Sequence, residues 1–203
     1  MNRILLHICC GPCAITCVER LQDQGFAVTG LFYNPNIHPS QEYLRRREGA
    51  LQVADRLGFP LLFADAEYDL KDFFRMLSGR EHNRCLFCYR YRLLQLREFA
   101  QQHGFSLISS SLLYSRYQKH EAIRVIGETV CRNPDGPHFY YQDFRSGWSR
   151  GITLSRKWGI YRQQYCGCIF SEAERYLSAQ ENRTEGAISV DSAPDLSAQE
   201  PGC

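Results

Sequence analysis

The chain has 203 residues, 44% apolar and 23% charged, enough to bury one full core, so one α/β domain over residues 1–180 is expected. No apolar run approaches a membrane span and the N-terminus lacks a signal-peptide core, which points to the cytoplasm; ten cysteines there speak for metal or redox work, not a disulfide framework. The net charge of +2 is uneven: residues 181–203 hold five acids against one arginine, an acidic tail of −4 expected to be disordered, which leaves +6 for the body.

Ile4 to Ile8 is a short apolar run that predicts a buried first strand, stopped by Gly11-Pro12. Cys9, Cys10 and Cys13 crowd the turn that follows. Cys9 and Cys10 point to opposite faces in a strand and converge only if the backbone turns at Gly11. Cys13 falls in the first turn of a helix over Ala14–Gln24, where the amide dipoles favour a thiolate. Phe26–Tyr33 is the second strand, and Asn34–Pro39, with two prolines, is an ordered loop at its carboxyl end. Ser40 caps a helix ending near Gly58, with Leu44, Leu51 and Ala54 on one face. Phe59–Ala64 is a third strand with Asp65 at its end, and Asp69 caps a helix carrying Phe73, Met76 and Leu77.

Cys88 to His103 reads as a helix opened by Cys85-x-x-Cys88. Phe105–Leu113 is a fourth strand ending in a serine run and Tyr114-Ser115. Ile123, Ile126 and Val130 mark a further helix, His138–Phe144 a fifth strand holding Asp143, and Thr153–Tyr161 a helix. After Cys166-Gly167-Cys168, Ser171 and Glu174 form a capping box for the last one. Strands alternating with helices imply a doubly wound, mainly parallel sheet, a Rossmann-like three-layer sandwich. Ligands bind such sheets at the carboxyl ends of the strands, and Cys9, Cys10, the Asn34–His38 loop, Asp65, Ser115 and Asp143 are all expected there.

Cys85-x-x-Cys88 is a two-ligand bite; joined to Cys9-Cys10 it gives four thiolates, the count of a zinc site or a 4Fe–4S centre. Cys166-Gly167-Cys168 would close a small, strained and labile disulfide, though two unpaired thiols or two more metal ligands satisfy the pattern as well. His7, alternating into a buried strand, reads as a hydrogen-bonded core residue, and Cys17 as packed. The body's bases are mostly arginine, which suits phosphate recognition or simply a solvated face.

The pieces LLHICCGPC, FYNPNIHPSQEYLRR, RCLFCYRYRL, LYSRYQKHEAI and YRQQYCGCIFSE, in this order over residues 3–180, resemble the QueH-type epoxyqueuosine reductases. The resemblance implies a fold similar to the HUP and PP-loop proteins. It implies reductive removal of the epoxide oxygen of epoxyqueuosine at the tRNA wobble position, the last step of queuosine biosynthesis. It also implies a 4Fe–4S cluster on Cys9, Cys10, Cys85 and Cys88, a redox-active pair at Cys166 and Cys168, no cobalamin, and a separate electron donor. A second metal, an additional iron ion, would fall to Cys13 and Asp65. Substrate contacts are expected from Arg45, Arg46, Arg47 and Arg90 on phosphates and from Tyr33, Tyr89 or Tyr114 on the base; Tyr114, His38 and Asp143 are positioned as proton donors. Two rivals stand beside this reading. A PP-loop transferase that activates tRNA with ATP would want a phosphate loop where CCGPCA stands. The other is a zinc-stabilised RNA-binding module without catalysis.

Overall fold

The computed structural model describes residues 2–64 and 69–177. Five strands, β1 (Asn2–His7), β2 (Phe26–Phe32), β3 (Leu61–Phe63), β4 (Leu107–Ser110) and β5 (His138–Phe139), form one sheet in the order β3-β2-β1-β4-β5. Every pairing is parallel, as the alternation of strands and helices predicts. The crossovers carry α1 (Gly11–Asp23), α2 (Ser40–Leu57), α3 (Leu70–Leu77), α4 (Arg84–Gln102) and α5 (His120–Val130); α6 (Trp148–Lys157) and α7 (Ile169–Tyr176) follow β5. Helices α1, α2 and α6 pack together, as do α4 and α5, the two outer layers of a doubly wound sandwich. Among the described residues no helix is long and apolar enough to cross a membrane.

β1 takes the centre because Ile4, Leu5 and Leu6 leave neither face fit for water. The chain passes from β1 to β2 on one side, while β4 pairs with β1 on the other. The carboxyl end of β1 is therefore the switch point of the sheet, the place where folds of this class keep their ligands. The register sets His7 level with Leu31 and Ser110. His7 is fully buried and hydrogen-bonded, Nδ1 to Ser110 Oγ (3.0 Å) and Nε2 to the Tyr33 carbonyl (3.1 Å), the core role its position predicts.

Several local expectations are corrected. Gly11 does not have a left-handed backbone; a Cβ there would meet the Gly49 carbonyl oxygen at 2.3 Å. Its smallness lets α1 and α2 cross closely, and the turn itself is made by extended backbone at Cys10. On α2 the buried stripe is Tyr43, Arg46, Ala50, Val53 and Ala54, while Leu44 is exposed, because a buried arginine holds a core position that an apolar count skips. Pro39 precedes that helix in the capping place and Ser40 is its first residue. β4 stops at Ser110 and the serine run turns into a 3-10 segment, Ser111–Tyr114. β5 holds two residues because the aromatics after it turn away: Tyr140 packs edge-on against Phe26, and its hydroxyl donates to Gln24 (3.1 Å). α6 begins at Trp148, earlier than Thr153, and α7 begins at Ile169 after Cys168, without the capping box assigned to Ser171. The expected acidic tail, 181–203, lies outside the described residues.

Candidate metal centre and redox loop

The turn after β1 builds the first half of the site. Cys9 donates its backbone N–H to Ser111 Oγ (3.1 Å), and the same hydroxyl lies 3.4 Å from Cys9 Sγ. Cys10, in extended conformation, caps α1: its sulfur accepts the Cys13 N–H at 3.3 Å, one of the donors a helix start leaves open. Pro12 in the same turn has no N–H to satisfy. The Cys9 and Cys10 sulfurs are 3.9 Å apart, and those of Cys9, Cys10 and Cys13 all lie within 4.8 Å of one another. Tetrahedral bonds of about 2.3 Å put thiolates about 3.8 Å apart, so this trio has the span of a thiophilic ion site. Hydrogen bonds from the Cys10 and Cys13 thiols hold Cys9 well below the usual thiol range. Burial pushes Cys10 up, and sharing with Cys10 and Cys9 pushes Cys13 up, so Cys9 is the most acidic thiol of the three. Gln163 closes the trio, donating toward Cys10 Sγ (3.0 Å) and Cys13 Sγ (3.4 Å). Cys17 is packed, as expected, with its thiol on the Cys13 carbonyl (3.2 Å).

The second half comes from the start of α4 and the Cys166–Cys168 loop. Cys85 and Cys88 occupy the first turns of α4. Burial pushes the Cys88 thiol up to about 12, and Cys166, Cys168 and Cys85 are among the groups that act on it. The four therefore share a neighbourhood, while the 4.8 Å trio holds Cys13 and neither Cys85 nor Cys88. Cys166 and Cys168 are free thiols. Gln118, beyond the 3-10 turn, donates to Cys166 Sγ at 3.2 Å.

The loop is fixed through its backbone. Arg46 donates to the carbonyls of Cys166 (2.7 Å) and Tyr165 (3.0 Å), and the Gly167 carbonyl accepts from the His38 N–H (2.7 Å). Tyr165 returns a hydroxyl to the His38 carbonyl (2.5 Å). Gly167 has φ +141°, and a Cβ there would stand 3.1 Å from Arg46 Nη1, so two constraints select glycine. Ser171, read from the sequence as a helix cap, instead accepts the Gly167 N–H (3.1 Å) and donates to the Cys168 carbonyl (2.7 Å).

This placement revises the arginine assignments. Arg46 is buried in an ion pair with Glu42 (2.7 Å), whose other oxygen takes the Tyr161 hydroxyl (2.5 Å); it is a clamp and presents nothing to a phosphate. Arg45 and Arg90 are exposed, and Arg47 is half-buried with its guanidinium 3.9 Å from the Phe63 ring centre. Arg92, one turn past Cys88, is buried and donates Nε to the Cys88 carbonyl (3.3 Å). Tyr114 is buried, its ring stacked on Trp148 and its hydroxyl on the Trp148 carbonyl (3.0 Å), so it offers no open face to a base. Tyr33 and Tyr89 are buried too. Asp143 does not reach the site edge: its carbonyl accepts from Arg20, far along α1. The Arg145 ion pair holds its carboxyl at about 2, which makes it no proton donor at neutral pH. His38 does lie at the site, under Phe73 and Phe74, where burial lowers its pKa to about 4. Asp65 lies outside the described residues. Sequence reasoning gives no role to Ser111, Gln118 or Gln163, and it counts Arg92 with Arg90 among the arginines suited to phosphate, a role its burial rules out. Arg92 alone carries a signal, since the Cys88-to-Arg92 spacing puts the two on one helix face.

The donor set fits a thiophilic metal or iron–sulfur group: buried thiols, one of them made more acidic by its neighbours, with a buried guanidinium hydrogen-bonded to the Cys88 carbonyl. A family model described as epoxyqueuosine reductase QueH matches residues 4–174. A protein of that name from Dehalococcoides mccartyi is 37% identical over 174 residues, covering 86% of this chain and 94% of its own. Another, from Haemophilus influenzae, is 36% identical over 177 residues, covering 84% and 71%. Among solved structures the chain resembles the U34-tRNA thiolase NcsA from Methanococcus maripaludis with its 4Fe-4S cluster, at TM-score 0.54, 12% identity and coverage of 99% and 80%. It also resembles a predicted subunit of tRNA methyltransferase from Methanocaldococcus jannaschii, at TM-score 0.50, 14% identity and coverage of 77% and 76%. At those identities the two structures speak for the α/β fold alone, whereas the matches to the family model and to the curated relatives run through both halves of the site: the chain belongs to the epoxyqueuosine reductase QueH family.

Proposed function

We propose that this oxidoreductase removes the epoxide oxygen of epoxyqueuosine at the wobble position of tRNA, giving queuosine. The observation that carries the reading is the buried group of Cys9, Cys10 and Cys13 at the switch point of the sheet, within a chain that matches the family from residue 4 to 174. Cys9 and Cys10 from one half and Cys85 and Cys88 from the other would hold a 4Fe–4S cluster. Cys13, with Asp65, would serve an additional iron ion, and no cobalamin takes part. When bound, the iron–sulfur centre supplies electrons one at a time.

Loss of the oxygen as water takes two electrons and two protons. Cys166 and Cys168 can supply both by closing a disulfide, with a cytoplasmic electron donor reopening it. The chain's own contribution is position. Arg46, His38 and Ser171 fix the backbone of the thiol loop. Gln118 holds the Cys166 sulfur, and Ser111 anchors Cys9.

The test is the anaerobically purified protein given an anticodon stem-loop bearing epoxyqueuosine, with dithionite as donor. A brown protein and loss of one oxygen mass from the wobble nucleoside are the expected results. Colourless protein with stoichiometric zinc and unchanged RNA would favour the zinc-stabilised binding module, for which the span of the cysteine trio also suffices.

A further inference from the structure

Two arginines are buried at the site, and they differ in how their charge is met. Arg46 has the carboxylate of Glu42. Arg92, 2% exposed, has no carboxylate within ion-pair distance among the described residues, and its Nη2 has no hydrogen-bond partner. Its single bond is the one from Nε to the Cys88 carbonyl at 3.3 Å. A guanidinium is the least readily deprotonated side chain, so Arg92 cannot escape burial by becoming neutral. A buried cation without a counter-charge is not retained cheaply in a core.

The groups that favour the charge of Arg92 are mostly thiols. Burial opposes its charge, and Cys88, Cys166 and Cys9 favour it, one thiol from each of the three segments that build the site. It is tied to the Cys88 side of the site through that residue's carbonyl, and it is closed to solvent, so no RNA phosphate reaches it. The anion it awaits must be made of these sulfurs.

We propose that Arg92 is the counter-cation of an anionic thiolate–metal centre shared by the Cys9 and Cys88 sides of the site, a positioning residue that raises the reduction potential of that centre without touching substrate. The proposal rests on the iron–sulfur reading above. Adding an electron to an already anionic group is favoured by a fixed positive charge in a low-dielectric surrounding. Removal of Arg92 should therefore lower the potential, weaken retention of the centre, or do both. Charge is the property at issue, so lysine should substitute largely and a neutral isostere should not.

The experiment compares full-length wild-type protein, Arg92→Met and Arg92→Lys, each reconstituted anaerobically with iron and sulfide. Iron per chain and the midpoint potential from spectroelectrochemical titration are read, with thermal melting as the check on folding. The expected result is a downward shift of the midpoint in Arg92→Met, or a loss of its iron, with Arg92→Lys close to wild type in both. Equal potentials and iron in all three proteins would overturn the proposal. So would equal loss of iron in Met and Lys variants, which would make the role one of guanidinium geometry. An unchanged potential with a raised KM for the stem-loop would overturn it in favour of a substrate contact. Wild-type protein that takes up no iron–sulfur centre would sink the underlying reading, and with it this one, and the wild-type measurement alone shows which has failed.

Discussion

The two halves of the site are held in different ways. The Cys9–Cys13 turn is an extension of the central strand: its backbone is tied through Ser111 to the 3-10 segment that follows β4 and to α1 through the Cys10 cap, and it sits in the core. The Cys166–Cys168 loop belongs to no strand. It is held by the buried guanidinium of Arg46 on α2 and by the backbone of His38 in the Asn34–Pro39 segment. On the proposed reading, a centre that keeps a fixed ligand set sits on the half built into the core, and a thiol pair that changes its bonding in each turnover sits on the half that belongs to no strand and is held by hydrogen bonds to its backbone.

Substitutions should separate the halves, and the largest effect is expected on the strand side. Cys9→Ser removes the most acidic thiol of the trio and should bleach the anaerobic protein and abolish turnover, with thermal stability close to wild type. Retention of full iron and visible absorption would break the assignment of this turn as the ligand-bearing half. Cys166→Ser or Cys168→Ser should instead leave iron content within error and stop multiple turnovers, which single-turnover and steady-state rates measured on one sample will show. If both of these variants lost iron, the loop would be a ligand segment and the contrast between the halves would vanish.

Arg46→Met probes the clamp. It leaves Glu42 buried without its partner and frees two loop carbonyls, and breaking a buried ion pair from one side costs about 3–5 kcal/mol. Urea midpoints should show that loss, and Glu42→Gln added to Arg46→Met should recover much of it. Alkylation of Cys166 should be faster in Arg46→Met, while iron stays bound. A faster loss of iron than of loop order would mean that the clamp serves the strand half.

The doubly wound sheet and the placement of the cysteines were legible because alternation of apolar runs with helical stripes is written in residue types. Gly11 was legible as a necessary glycine but for the wrong cause, since its neighbour Gly49 comes from another helix and no local pattern joins the two. Arg46 and Arg92 were hidden because charge is read as exposure; each is buried only in the presence of partners distant in sequence. The fifth strand was overread for a related reason: after a last bond from the Tyr140 N–H to the Ile108 carbonyl, Tyr140 packs on Phe26 and Tyr141 on His120, contacts made by partners distant in sequence.

His7 offers a smaller, purely structural test of the strand half. Burial lowers its pKa to about 4 from an ordinary 6.5. Between those values the unfolded chain binds a proton that the folded chain refuses, so stability falls as pH drops, by about 1.4 kcal/mol per unit while that holds. Urea midpoints of the metal-free protein at pH 7 and pH 5 should differ in this direction, and His7→Gln should flatten the difference. A slope unchanged by that substitution would place the titration elsewhere, with His38 next to be changed.

The smallest effect is expected at the surface. With Arg46 and Arg92 buried, Arg45 and Arg90 remain as exposed cations beside the site, on α2 and α4. Each can neutralise at most one phosphate, and one phosphate contact changes the slope of log affinity against log salt by about 0.7–0.9. Arg45→Ala and Arg90→Ala should thus raise the KM for the stem-loop a few-fold at low salt and leave kcat unchanged, and their effects should add because the residues share no partner. The free modified nucleoside, which has no phosphate ladder, should react poorly with wild type and be indifferent to both substitutions. Equal specificity constants for nucleoside and stem-loop would return these arginines to the role of a solvated face.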